Sequence, residues 1–206
     1  MRIFHLSLLL AISIILCAAV SSSAGLSIPE PASVDISEAM SFEKYLTTGS
    51  SGETEKLLNR MDNLDMAESL KSSALEGNER LTLVVFGWMS CPDCEVVIPY
   101  IESVRRLNPN ISTLYFGRND ATKAVLRNLA GASGTPAVFA ARQDGTLLGP
   151  YYHEYPQSVR ARLNSARDND EKRDVIRDFR SGKYETELQQ ELAGMLKDAW
   201  RSIAAD

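Results

Sequence analysis

Residues 81–94 read Leu81-Thr82-Leu83-Val84-Val85-Phe86-Gly87-Trp88-Met89-Ser90-Cys91-Pro92-Asp93-Cys94. The apolar and β-branched run over 81–86, bounded by glycine, has the length and composition of a buried strand. Val96, Val97, Ile98, Ile101, Val104 and Leu107 then recur at helical spacing, so the two cysteines stand where a helix begins. Residues i and i+3 of a helix share a face, which lets both sulfurs reach a common disulfide. The partial positive charge of the helix N-terminus favours a thiolate on the first of them. Cys91 is therefore the candidate nucleophile and Cys94 the resolving thiol. Pro99 lies well inside the helical pattern, and a kink is expected there.

Working outward, Asn108-Pro109-Asn110 ends this helix, and 111–116 reads as a second strand. A helix over 121–129, closed by Gly131, and a third strand over 137–141 follow. Asp144-Gly145 is a hairpin signal that returns the chain through Leu147-Leu148, and 156–163 reads as a short helix. The alternation predicts a central sheet whose first strands are parallel, followed by an antiparallel pair. Upstream, 38–75 is helical in pattern with a break near 49–52, which predicts two helices before the sheet. Downstream, Val175, Ile176 and Phe179 mark one amphipathic segment. Leu188, Leu192, Leu196 and Ile203 mark a longer one beyond Ser181-Gly182.

The chain has 206 residues, 44% of them hydrophobic, enough for one principal core. Its net charge of −5, with acidic and basic residues interleaved, gives no electrostatic support to nucleic-acid binding. Arg2, the apolar run 3–20 and Ser21-Ser22-Ser23-Ala24 read as a signal peptide cleaved before Gly25. An uncleaved anchor and a lipid-modified Cys17 are the alternatives, the latter disfavoured by bulky Leu16; all three place the domain outside the cytoplasm. Cleavage leaves Cys91 and Cys94 as the remaining two of three cysteines. A single closely spaced pair is unlike the framework of a multiply stapled small protein, which points to chemistry.

The order strand, Cys91-Pro92-Asp93-Cys94 at a helix start, strand, helix, Gly134-Thr135-Pro136, hairpin and helix resembles the thioredoxin family over residues 80–165. The resemblance implies an α/β thioredoxin-like fold, a mixed central sheet flanked by helices, with additional N- and C-terminal helices here. It also implies a cis peptide bond at Pro136 and substrate contact by Thr135 and Pro136. Phe42-Glu43-Lys44-Tyr45, Ser69-Leu70-Lys71 and Arg180-Ser181-Gly182-Lys183-Tyr184 look like an exported bacterial subgroup with helices at both ends. Residues 133–149 resemble the cis-proline region of periplasmic disulfide isomerases. The expected organisation is a signal peptide at 1–24, a linker at 25–37, a helical extension at 38–78, the thioredoxin-like domain at 79–165 and a second helical extension at 166–206. Two family positions differ: Ser90 stands where a tryptophan precedes the first cysteine, and Val85 where a buried aspartate helps deprotonate the second.

Together with the leader reading, the resemblance implies an exported, periplasmic or otherwise extracytoplasmic thiol–disulfide oxidoreductase acting through Cys91 and Cys94 in the reducing direction. It needs no cofactor, and its partners are protein thiols or disulfides and an electron donor or acceptor. Membrane contact is expected only if the leader is retained. Pro92 and Asp93, between the thiols, are the candidate tuning residues. A carboxylate there opposes the thiolate while the helix terminus favours it; since a stabilised thiolate favours the reduced form and makes the disulfide more oxidising, Asp93 is expected to push toward a reductant. Trp88 is either a substrate contact or core, and Phe86 is core. Disulfide isomerase or oxidase activity and a redox-idle binding or chaperone module are the alternative functions. An inert disulfide and half a zinc site are the alternative readings of the cysteines, with His153 the one histidine left after cleavage. His153, amid Tyr151, Tyr152 and Tyr155, reads as part of a solvated loop.

Overall fold

The computed structural model describes residues 32–205. The expected leader with Cys17, and residues 25–31 of the expected linker, lie outside the described residues. Three helices come first, α1 (Phe42–Leu46), α2 (Ser51–Asp62) and α3 (Glu68–Leu75). Then follow β1 (Leu81–Phe86), α4 (Pro92–Leu107), β2 (Ile111–Phe116), α5 (Asp120–Ala130), β3 (Ala137–Ala141) and β4 (Leu147–His153). The chain closes with α6 (Gln157–Ser165), α7 (Asn169–Arg180) and α8 (Glu185–Ala204).

The four strands form one mixed sheet in the order β2-β1-β3-β4. β1 and β2 run parallel, with Leu81 opposite Ile111 and Phe86 opposite Phe116. β3 is antiparallel to both β1 and β4. Because side chains alternate along a strand, β1 feeds two cores. Leu81, Leu83 and Val85 pack with Val97, Ile98 and Ile101 of α4, while Val84 and Phe86 face Leu126 of α5. On the α5 side each strand contributes one ring to a continuous row. Phe116 stacks on Phe86 at 4.9 Å between centroids, Phe86 meets Phe139 edge-on at 5.7 Å, and Phe139 stacks on Tyr151 at 4.7 Å.

The first correction to the sequence reading concerns helix number: three helices, not two, precede the sheet. The second break, after α2, is held by a partner distant in sequence. The Ala67 N–H donates to Gln189 Oε1 of α8 at 2.5 Å, and Gln189 Nε2 donates to Asp65 O at 3.2 Å. No local signal carries that contact. α4 passes through Pro99 as one element.

The second correction concerns residues 32–37, expected as linker. Val34 N–H donates to Gly145 O, and Ala32 O accepts from Leu147 N–H, at the β3–β4 turn. Further along, Met40 and Tyr115 exchange both backbone hydrogen bonds at 2.9 Å on the open edge of β2. Residues 32–40 thus form a strap across the α5 face, with Val34 buried and Ile36 and Ala39 packed against the same core. The strap satisfies edge groups that would otherwise be open to pairing and covers apolar surface. Val34→Ala should therefore lower the free energy of unfolding by about 1–3 kcal/mol. A urea midpoint identical to that of the wild type would show that the strap adds nothing to the fold.

Candidate active site

Cys91 is the N-cap of α4, with extended backbone (φ −87°, ψ 113°), and exposed Pro92 occupies the first helical turn, where its missing N–H costs nothing. The Cys94 N–H donates to Cys91 Sγ at 3.3 Å, so a sulfur takes the place of the usual capping oxygen. Cys91 is part-exposed, Cys94 is buried at 1% exposure, and both are free thiols. The Thr135–Pro136 peptide is cis. The Thr135 carbonyl lies 3.5 Å, and its Oγ1 3.6 Å, from Cys91 Sγ.

The loop carrying Thr135 is held from behind by the end of β4. His153 is buried there, its ring nitrogen 3.1 Å from Gly134 O. This corrects the solvated-loop reading: the ring packs under the cis-proline loop. Glu154 N–H donates to Pro136 O at 2.7 Å, and the Glu154 carboxylate lies across Gly134. A Cβ at position 134 would stand 1.8 Å from that carboxylate, so a larger residue there would displace the Glu154 side chain.

The electrostatics divide the two sulfurs. Cys91 is drawn down to about 7, chiefly by a hydrogen bond from the Cys94 side chain, with Thr135 and the Cys94 N–H adding to it. Burial opposes that shift, and the Asp93 charge opposes it least. Cys94 is pushed well above the ordinary thiol value, first by burial and then by its bond to Cys91. An acidic, accessible thiol in front of a buried, reluctant one is an arrangement for attack followed by resolution.

Asp93 is not a bare charge. Buried at 8% exposure, it accepts Arg180 Nε at 2.7 Å and Arg180 Nη2 at 3.1 Å, a two-pronged pair, and Tyr155 OH at 2.9 Å. Tyr155 itself meets Phe179 edge-on at 5.1 Å, so the end of α7 is built onto the cysteine turn. Trp88 is half-buried, its carbonyl accepting the Cys91 N–H and its ring 5.9 Å from the Arg118 guanidinium. With Met89, Ser90, Phe116 and Arg118 it lines a cleft of about 830 Å³ that Thr135 and Pro136 do not line. The structure therefore gathers Cys91, Cys94, Asp93, Thr135 and Pro136 at one point and sets Trp88 in a separate neighbouring cleft. Arg180 and Tyr155 are site residues that the sequence did not single out as such: Arg180 stood only within the Arg180–Tyr184 stretch resembling the subgroup, and Tyr155 only in the aromatic cluster around His153.

A four-stranded mixed sheet with a Cys-x-x-Cys turn facing a cis-proline loop defines a thioredoxin-like fold. A family model described as thioredoxin matches residues 39–174, and the chain belongs to the thioredoxin family. Among solved structures it is similar to PA1234 of Pseudomonas aeruginosa, a protein of unknown function. That match has a TM-score of 0.62 at 20% identity, over 82% of this chain and 95% of the other. It is also similar to an HIV epitope scaffold, with a TM-score of 0.62 at 21% identity, over 82% of this chain and 94% of the other. These likenesses show the fold. No curated protein matches the chain.

Because Asp93 and Arg180 oppose each other beside Cys91, single substitutions should move its acidity in opposite directions. In the wild type the alkylation rate of Cys91 should rise with pH around a midpoint near 7. Arg180→Gln should raise that midpoint and Asp93→Asn lower it, each by less than about one unit because Arg180 is partly solvated. Shifts of the same sign in both variants would show that the pair does not act on the sulfur through charge.

Proposed function

We propose that the protein is an extracytoplasmic thiol–disulfide oxidoreductase that reduces disulfides in protein substrates. The observation that carries this reading is the pairing of an accessible Cys91 thiol near 7 with a buried, strongly raised Cys94 thiol. The Cys91 thiolate attacks one sulfur of a substrate disulfide. That S–S bond breaks, and the other substrate sulfur departs as a thiolate and takes up a proton. Cys94, after losing its proton, attacks Cys91 Sγ, which releases the second substrate thiol and leaves a Cys91–Cys94 disulfide. Two electrons have passed to the substrate, and a dithiol donor must return them before the next cycle.

Thr135 and Pro136 are the substrate-contacting residues of this mechanism, since the Thr135 carbonyl and hydroxyl already lie against the attacking sulfur. Trp88 and its cleft are placed to take substrate residues beyond the disulfide. The leader reading of residues 1–24 supports an extracytoplasmic setting, where protein disulfides persist. A first thiol near 7 accords with the reducing direction, because strongly oxidising relatives carry a first thiol near about 3.5. Arg180 is the observation that favours the opposite, oxidising sense, since a cation near Cys91 stabilises the thiolate and so the reduced form. A potential measured in glutathione buffer decides between them.

Cys94→Ser removes the resolving sulfur and keeps the attacking one. It should accumulate mixed disulfides through Cys91 that dithiothreitol releases, while Cys91→Ser accumulates none. A folded Cys94→Ser protein that captures no thiol partner would overturn the reading.

A further inference from the structure

We infer that Tyr45, contributed by α1, is a positioning residue for the resolving step: its hydroxyl donates a hydrogen bond to the Cys94 thiolate as that sulfur forms and attacks. The inference rests on the thiol–disulfide reading above and deepens it.

Tyr45 is fully buried, its ring stacked on Tyr115 at 4.6 Å. Yet its hydroxyl has no hydrogen-bond partner among the described residues. Buried phenols nearly always find one, and an unpaired hydroxyl costs stability, so its retention needs a reason. The reason lies at Gly87, which joins β1 to the cysteine loop. A Cβ built there would stand 3.3 Å from Cys94 Sγ and 3.6 Å from the Tyr45 hydroxyl oxygen. Both groups, with Ile98 Cδ1 at 3.5 Å, therefore abut the same point beside the glycine. The orphan donor and the buried thiol thus flank one glycine.

The resolving sulfur has need of a donor. Burial pushes Cys94 well above an ordinary thiol, so its thiolate is costly to form. Val85 stands at the place where the family puts an aspartate, and it is fully buried and apolar. Glu102, the buried carboxylate of α4, is already engaged by Thr113 and Tyr115, each at 2.7 Å, and by Arg105 at 2.7 Å. Tyr45 cannot itself act as the base: burial, then the charges of Cys94 and Cys91, and then Glu53, hold its proton on. It remains an O–H donor at neutral pH.

The step balances without any further reagent. Cys94 loses its proton, and the thiolate bonds to Cys91 Sγ of the mixed disulfide. The Cys91–substrate bond breaks, its electron pair leaves with the substrate sulfur, and that sulfur takes the proton. Tyr45 keeps its own proton throughout and lends a hydrogen bond only while Cys94 is charged.

Tyr45→Phe removes the hydroxyl and keeps the ring stack, so the variant should melt no lower than the wild type. Reaction of the dithiol protein with 5,5′-dithiobis(2-nitrobenzoate) separates the steps, because Cys91 attack and Cys94 resolution each release one coloured thiolate. The first phase should be unchanged. The second should slow by about tenfold, the weight of a hydrogen bond to a charged group, and its pH midpoint should rise. Gly87→Ala, which places a methyl against both groups, should slow the same phase. A second phase unaltered in rate and pH profile in Tyr45→Phe overturns the role of Tyr45. Failure of the wild type to reduce the disulfides of insulin instead overturns the oxidoreductase reading, whatever Tyr45 does to the reagent.

Discussion

A sulfur atom serving as the helix cap is the constraint around which this molecule is arranged. Cys91 Sγ accepts the Cys94 N–H, one of the donors that a helix start leaves without a partner inside the helix. The same contact that begins α4 therefore also stabilises a charge on the sulfur. A cap of this kind is useful only if the helix end cannot drift, and α4 is anchored along its length. Val96, Val97, Ile98, Ile101 and Val104 are buried against the sheet, and Glu102 ties the helix to β2 through Thr113 and Tyr115. On the opposite face the row of rings from all four strands fixes Phe86, from which the chain passes through Gly87 into the cysteine loop.

The parts of the chain outside the Cys-x-x-Cys unit also enter the site. α7 ends at Arg180, which grips the carboxylate between the two thiols, and α1 sets Tyr45 beside the gap that reaches Cys94. The strap over 32–40 then pairs with β2 at Tyr115, the ring on which Tyr45 stacks. A boundary drawn at residues 79 and 165 passes through this arrangement. Arg180 of α7 completes the charge environment beside Cys91, and the helices at both ends cover the core.

What could be read in advance follows from where the information resides. Strands 81–86, 111–116 and 137–141 matched the structure because each is a short apolar run closed by turn residues, a purely local pattern. The Cys91–Cys94 spacing at a helix start is also a local pattern, whereas the placing of Thr135 and Pro136 beside it came from the family resemblance. The second break among the N-terminal helices was not, since it is held by Gln189, more than a hundred positions away. The docking of Val34 and the burial of His153 depend on which surfaces the fold leaves open. The Asp93–Arg180 pair joins residues whose only relation is tertiary. A lone carboxylate beside a thiol reads from sequence as an uncompensated charge, and the structure supplies its counter-ion.

That counter-ion changes how the potential of the pair is to be understood. Taken alone, Asp93 would oppose the Cys91 thiolate and favour a reductant. Paired with Arg180 and Tyr155, its field at the sulfur is reduced, and among the influences on Cys91 it ranks last. Hydrogen bonds from Cys94 and Thr135 outweigh it. These bonds exist only while Cys94 is a thiol and the cis-proline loop is seated, and forming the disulfide removes the first of them. The reduced state is thus stabilised by contacts that oxidation would destroy, which ties the balance between thiol and disulfide to the seating of the cis-proline loop. In the proposed reaction, a substrate strand that engaged Thr135 would compete for the contacts that hold the thiolate, coupling binding and reactivity at that one residue.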